Sequence, residues 1–105
     1  MHVADLTVRR FNAEGLQKLN LFQTPRFFAD VYCLEPEQEQ KAHAHEGSDK
    51  VYVVLEGRAR VRVGDEEQDL GPSQAAMAPS GAPHGVRNPG PERLVLLVFM
   101  APVPA

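Results

Sequence analysis

The chain has 105 residues, a hydrophobic content of 43%, a charged content of 24% and a formal net charge of −3. This length suits one domain with a single core and leaves no room for separate catalytic and regulatory domains. The mild, interspersed acidity argues against nucleic acid as a main partner, and no stretch approaches transmembrane length. The N-terminus lacks the pattern of a signal peptide, and the single cysteine, Cys33, excludes an internal disulfide. We therefore expect a cytoplasmic protein.

Residues 1–26 carry the weakest pattern, and we expect them to be a lead-in to a main domain that spans 27–105. Loosely alternating apolar residues near the start suggest a short strand or arm. Asn12 could cap a brief helix that carries Leu16 and Leu19. We expect this segment to pack on the outside of the main domain or on a partner.

From residue 27 onward, short β-prone runs alternate with turns rich in glycine and proline. The charged stretch 35–41 reads as a connection that leads to His43, and 58–63 alternates cleanly with its arginines pointing outward. About eight short strands with little helix predict an antiparallel sandwich or barrel. The expected strands are Phe27–Leu34, Lys50–Glu56, Arg58–Val63, Glu67–Leu70, Ala75–Ala78, a strand after the turn at 79–83, and Arg93–Met100.

Three histidines stand out against this β pattern. His43 and His45 are spaced i, i+2, which places both imidazoles on one face of an extended strand. His84 follows the turn Pro79–Pro83, whose prolines and glycine fix the backbone. Neutral imidazole is a common ligand of Zn, Fe, Ni and Cu, so the three side chains are candidate metal ligands.

At these positions the sequence resembles the cupin superfamily. The first cupin motif, G-x5-H-x-H-x(3,4)-E-x6-G, is matched by His43, His45 and Gly57. The second motif, G-x5-P-x-G-x2-H-x3-N, is matched at the correct spacing by four residues, which are Pro79, Gly81, His84 and Asn88. Two separated motifs agree with each other, and the resemblance covers roughly residues 27–100.

The sequence departs from these motifs at three positions. Glu37 and Ser73 replace the opening glycines, which are turn positions. Lys50 falls where the family has a ligand glutamate, and a protonated lysine has no lone pair for a metal. Asp49 is adjacent, but it could join the pocket only if a bulge shifted the strand register.

The resemblance implies an all-β, double-stranded β-helix or jelly-roll barrel with a short N-terminal arm or helix. It also implies that His43, His45 and His84 converge at one mouth of the barrel around a divalent transition metal, namely Zn, Mn, Fe, Ni or Cu. Cupins often dimerise through their sheets, and the apolar faces of 51–55 and 94–98 agree with a homodimer.

The function remains open between two classes. One is a metal-dependent oxygenase or isomerase that acts on a small molecule at the barrel mouth. The other is a metal-free module that binds a metabolite or sugar, with Lys50 in place of the glutamate. Lys50 could be a neutral amine in the pocket, or it could pair with a carboxylate such as Glu46. Tyr52 shares the parity of Lys50, so it is also a candidate pocket residue.

Overall fold

The structure, a computed structural model, describes residues 1–104 and contains nine β-strands and no helix in that range. No helix among these residues is long and apolar enough to cross a membrane. The strands are β1 (Gln17–Thr24), β2 (Phe27–Leu34), β3 (Glu39–His43), β4 (Asp49–Glu56), β5 (Ala59–Val63), β6 (Glu66–Leu70), β7 (Ala75–Ala78), β8 (His84–Arg87) and β9 (Leu94–Ala101).

The strands form two antiparallel sheets around one core. A five-stranded sheet has the order β1-β2-β9-β4-β7, and a four-stranded sheet has the order β3-β8-β5-β6. Alternate residues of the strands point between the sheets, as the period of two requires. The expected double-stranded β-helix is therefore present. Its core consists of Tyr32, Leu34, Tyr52, Val54, Ala59, Val61, Leu70, Val86, Leu94, Leu96 and Val98.

The opposite face of the five-stranded sheet is also apolar, and the N-terminal segment covers part of it. Phe11 packs against a second buried cluster formed by Val31, Cys33 and Val95. The segment is held in place by an ion pair of 3.0 Å between Arg9 and Glu56. The part of this segment around Arg9 and Phe11 is therefore an arm on the outside of the barrel, whereas Leu16 packs against the core between the sheets.

The prediction of a short helix around Leu16 and Leu19 is wrong. Residues 17–24 form strand β1, which pairs with β2 and so extends the five-stranded sheet beyond the expected start of the barrel at residue 27. Leu19 and Leu21 pack toward the buried cluster under the arm, while Lys18 and Asn20 lie on the other face. Pairing with β2 outweighs the weak helix signals.

The prediction that residues 35–41 form a charged connection is also wrong in part, because Glu39–His43 forms strand β3. This strand pairs with β8, and its register shifts between Gln40 and His43. Gly85 of β8 makes room for the irregularity, since a Cβ there would lie 2.7 Å from the carbonyl oxygen of Gln40. Gln40 is the register partner of the buried Val86, and the bulge after it lets Gln40 and His43 both face into the barrel although they differ in parity.

The two replaced motif glycines keep the backbone conformation of glycine. Glu37 and Ser73 have φ values of 74° and 71°, and they are the non-glycine residues with positive φ in the described chain. Gly57, which the sequence retains, has φ of 83°, and a Cβ there would lie 2.3 Å from the carbonyl oxygen of Arg93. Position 57 therefore requires glycine because the backbone of Arg93 comes too close for a Cβ. At positions 37 and 73 a side chain is accommodated, and the fold tolerates the strain of a positive φ.

Candidate metal centre

The structure brings the three candidate histidines together between strands β3 and β8. His43 ends β3 and is the register partner of His84, the first residue of β8, while His45 follows two residues after His43. One potential ligand atom from each ring lies within 4.8 Å of the other two. The ring centroids are separated by 4.8 Å (His43–His45), 4.5 Å (His43–His84) and 5.7 Å (His45–His84).

Backbone carbonyls orient two of the imidazoles. His43 Nδ1 lies 2.8 Å from the carbonyl oxygen of Lys41, and His84 Nδ1 lies 3.0 Å from that of Ala82. A carbonyl can only accept, so each Nδ1 carries the proton and each Nε2 keeps its lone pair. His84 Nε2 is buried and has no hydrogen-bond partner. A buried lone pair without a partner is costly, and a metal ion would satisfy it.

The electrostatic setting keeps the imidazoles available as neutral ligands. Burial lowers the pKa of His84 below its usual 6.5, and Lys50 and the other two histidines lower it further. The pKa of His45 is lowered mainly by desolvation and then by the charges of His43, Lys50 and Lys18. Two nitrogens that each lie about 2.1 Å from one ion are at most about 4.2 Å apart, and the three potential ligand atoms already lie within 4.8 Å of one another. The donor set therefore fits a divalent transition ion.

Lys50 points into the barrel, as the motif register predicted. The residue is only 2% exposed, and its ammonium donates a hydrogen bond of 3.0 Å to Gln40 Oε1. The Tyr52 hydroxyl donates to the same oxygen at 3.3 Å. The ammonium also lies 5.6 Å from the ring centroid of Tyr32 and 5.2 Å from that of Tyr52. These contacts position Lys50 beside the histidines as a cation and not as a ligand.

Burial lowers the pKa of Lys50 from 10.5 to about 8, and the nearby charge of Lys18 adds to the shift while Asp30 opposes it. At pH 7 the ammonium is still largely protonated. Desolvation raises the pKa of Tyr32 to about 12 and raises that of Tyr52 as well, so both hydroxyls are neutral at pH 7.

The two carboxylates considered from the sequence do not face Lys50. Asp49 is exposed, and its Oδ1 accepts the backbone N–H of Ser80. The strand register continues without a bulge here, so Asp49 points away from the pocket. The prediction of Asp49 as a candidate pocket residue is therefore wrong. Glu46 is exposed and lies beside Gly81, and the partner of Lys50 is Gln40 instead. Tyr52 lies inside the barrel, with its ring centroid 6.3 Å from that of His84.

Several residues near the histidines were not identified from the sequence. Gln40 was assigned to a connection, and Lys18 and Asn20 to the lead-in. Tyr32 and Asp30 lie on β2, where they share the parity of the core residues. That parity was the available signal for Tyr32 and Asp30, because inward residues at a barrel mouth alternate with outward ones.

Comparison with known proteins places this geometry in a family. The sequence profile described as "Cupin domain" matches residues 30–100, which is more than half of the chain. The chain belongs to the cupin family. This membership confirms the resemblance drawn from the two motifs, and the three clustered histidines lie where both motifs place metal ligands. No curated protein matches this cupin in sequence.

Solved structures similar to this cupin share its whole architecture. TT1209 from Thermus thermophilus is 52% identical, with a TM-score of 0.96 over 99% of this chain and 100% of that chain. An uncharacterised conserved protein with a double-stranded β-helix domain from Klebsiella pneumoniae is 25% identical, with a TM-score of 0.85 over 95% and 84% of the two chains. KdgF from a Halomonas species is 26% identical, with a TM-score of 0.77 over 90% and 84%.

Proposed function

We propose that this cupin binds one divalent transition metal ion through the Nε2 atoms of His43, His45 and His84. The observation that carries the proposal is the buried Nε2 of His84, which has no partner among the described residues. Two further features support it. Carbonyl oxygens fix the tautomers of His43 and His84, and the pKa values of His45 and His84 are lowered, which favours the neutral, ligating forms.

We propose further that the bound ion serves chemistry on a small molecule, as in a metal-dependent oxygenase or isomerase. When bound, such an ion supplies a Lewis acid with open coordination positions, because the chain offers three ligands. The chain's own residues orient the imidazoles and place the donors Lys50 and Tyr52 next to them. The softer ions Zn, Fe, Ni and Cu suit three imidazoles better than Mn does. We place this chemistry in a reducing cytoplasm, consistent with the free thiol of Cys33.

A second candidate function is a metal-free binding module for a small metabolite or sugar. The buried ammonium of Lys50 favours it, because a positive charge beside the histidines repels a divalent cation. The two candidates differ in one measurable quantity, which is the metal content of the purified protein.

Elemental analysis of protein purified without a histidine tag tests the first candidate. We expect about one equivalent of metal per chain in the wild type, after loading with Zn, Ni, Fe or Mn where needed, and almost none in His84→Ala. His2→Ala is the matched control, because His2 is exposed in the N-terminal arm. Asp49→Asn should also retain the metal. A wild type that binds no metal under any loading condition would refute the metal proposal and leave the binding module.

We also propose that the protein is a homodimer. The sequence predicted that the face formed by Leu94, Leu96 and Val98 needs cover from a second chain. That prediction is wrong, because the three side chains are fully buried in the core of one chain. The outer face of the same sheet carries Met77 and Phe99, which are 55% and 38% exposed. Sedimentation equilibrium tests the proposal: the wild type should run as a dimer and Phe99→Glu as a monomer, whereas a monomeric wild type would refute it.

A further inference from the structure

The Lys50 ammonium, inside the barrel beside the histidines, has more N–H donors than its recorded hydrogen bond uses. The Lys50 ammonium has three N–H groups, and Gln40 Oε1 accepts one of them. The Tyr52 hydroxyl donates its hydrogen bond to that same oxygen. The Gln40 side chain also lowers the pKa of Tyr32, which is the effect of a group that donates to the phenolic oxygen. A site with surplus donors is complementary to a ligand that only accepts.

The charge of this region is also positive before any metal is added. The ammonium groups of Lys18 and Lys50 lie 5.3 Å and 5.6 Å from the centroid of the Tyr32 ring. The carboxylate that acts on Lys50 is that of Asp30, and its Oδ1 already accepts a hydrogen bond of 2.8 Å from Asn20. One carboxylate therefore faces two ammonium groups. Three neutral imidazoles would add nothing to offset the two charges of a bound ion.

We propose that the site takes a small carboxylate, which the ammonium of Lys50 would hold next to a metal ion bound by the three histidines. This inference rests on the proposed metal binding and names the class of ligand for that site. The carboxylate supplies the negative charge and the acceptor oxygens that the chain's own residues do not supply. Lys50 and His84 are each 2% exposed, so only a small ligand would reach both side chains.

The proposal requires Lys50 to act on the metal and on the ligand with opposite signs. Its charge repels the ion, so Lys50→Gln should bind the metal more tightly than the wild type. The same charge attracts the carboxylate, so Lys50→Gln should bind it more weakly. A purely structural lysine would not produce this pair of effects, because a loosened pocket weakens both.

The experiment uses Co(II)-loaded protein and acetate as the probe. The visible absorption of the bound Co(II) reports on its coordination, and it is followed during titration with acetate and with acetamide, the neutral analogue of similar shape, at constant ionic strength. We expect acetate to bind at least about tenfold more tightly than acetamide, and Lys50→Gln to weaken acetate binding about tenfold. Arg26→Gln removes the same charge at the exposed β1–β2 turn and should leave acetate binding within about twofold of the wild type.

Lys50→Met serves as a second variant in case the glutamine does not pack, and circular dichroism checks both folds. Acetate that binds no better than acetamide, or equally well to wild type and both Lys50 variants, overturns the carboxylate inference and leaves the metal proposal intact. A wild type that takes up no Co(II) overturns the metal proposal and, with it, this inference. Tighter Co(II) and weaker acetate in both Lys50 variants supports it.

Discussion

Replacing Lys50 with methionine should stabilise the metal-free protein at neutral pH. Lys50 is 2% exposed, and burial lowers its pKa from 10.5 to about 8. Each pKa unit corresponds to about 1.36 kcal/mol, so keeping the ammonium protonated in the fold costs roughly 3 kcal/mol at pH 7. Methionine fills a similar volume without charge, and the Tyr52 hydroxyl still donates to Gln40. We expect Lys50→Met to raise the free energy of unfolding by about 2–3 kcal/mol.

The lowered pKa also determines how wild-type stability depends on pH. Between about pH 8 and 10.5 the unfolded chain keeps a proton on Lys50 that the folded chain has lost. Stability therefore rises with pH in this window, and the gain by pH 9.5 is about 2 kcal/mol. Measurements should stop at pH 9.5 because of the tyrosines. In the unfolded chain they ionise near their ordinary pKa of 10.0, while burial holds the pKa of Tyr32 in the folded chain at about 12. Their ionisation would reverse the trend.

Urea denaturation followed by circular dichroism, in the presence of a chelator, measures both effects. The free energy of unfolding is determined at several pH values from about 7 to 9.5 for the wild type, for Lys50→Met and for Lys41→Met. Lys41 is exposed, so its variant should follow the wild type. The curve for Lys50→Met should be flatter than that of the wild type. A variant that is less stable at pH 7, or a wild-type curve parallel to that of Lys50→Met, would refute the view that Lys50 is a costly buried cation.

Three further predictions follow from the backbone and from the histidines. Gly85→Ala should lower the free energy of unfolding by about 1–3 kcal/mol and weaken zinc binding, because the new Cβ would press on the backbone of β3. In the control Gly15→Ala the new Cβ meets nothing within 4 Å, so denaturation and zinc titrations should show no change in either quantity. Ser73→Gly should stabilise the fold by up to about 1 kcal/mol by relieving a φ of 71°, and an unchanged urea midpoint would contradict this. Zinc affinity measured by calorimetry should be lost only at acidic pH, because burial and nearby positive charges lower the pKa values of His45 and His84; a steep loss between about pH 8 and 7 would count against neutral imidazole ligands.

The strand pattern and the cupin resemblance predicted the fold class, and that resemblance predicted the meeting of the three histidines. His43 and His45 had to share a face because strands alternate, and the turn before His84 placed it at a fixed spacing in the second motif. The inward direction of Lys50 followed from the motif register, in which it occupies the glutamate position six residues before the retained Gly57. These features depend on local spacing, which a sequence records directly.

The surroundings of Lys50 could not be predicted in this way. Gln40 faces Lys50 only because β3 is irregular opposite Gly85, and β3 lacks the β-branched residues that normally mark a strand. Strand β1 was missed for a related reason. Its apolar residues Leu19 and Leu21 pack outward under the arm, while its polar face turns toward the barrel, which reverses the usual pattern. Pairing between distant segments creates both features.

The thiol of Cys33 makes detachment of the N-terminal arm measurable in the native protein. Cys33 is fully buried, and Phe11 of the arm packs on its cluster, with the Arg93 guanidinium 4.3 Å from the centroid of the Phe11 ring. A thiol reagent can modify this sulfur only in molecules in which the cover has opened. When opening and reclosing are fast, the labelling rate divided by that of a free thiol gives the population of the open form. The free energy that holds this cover, which consists of Phe11 of the arm together with Leu19, Leu21 and Leu55, can therefore be measured at a single natural residue, without adding any probe to the chain.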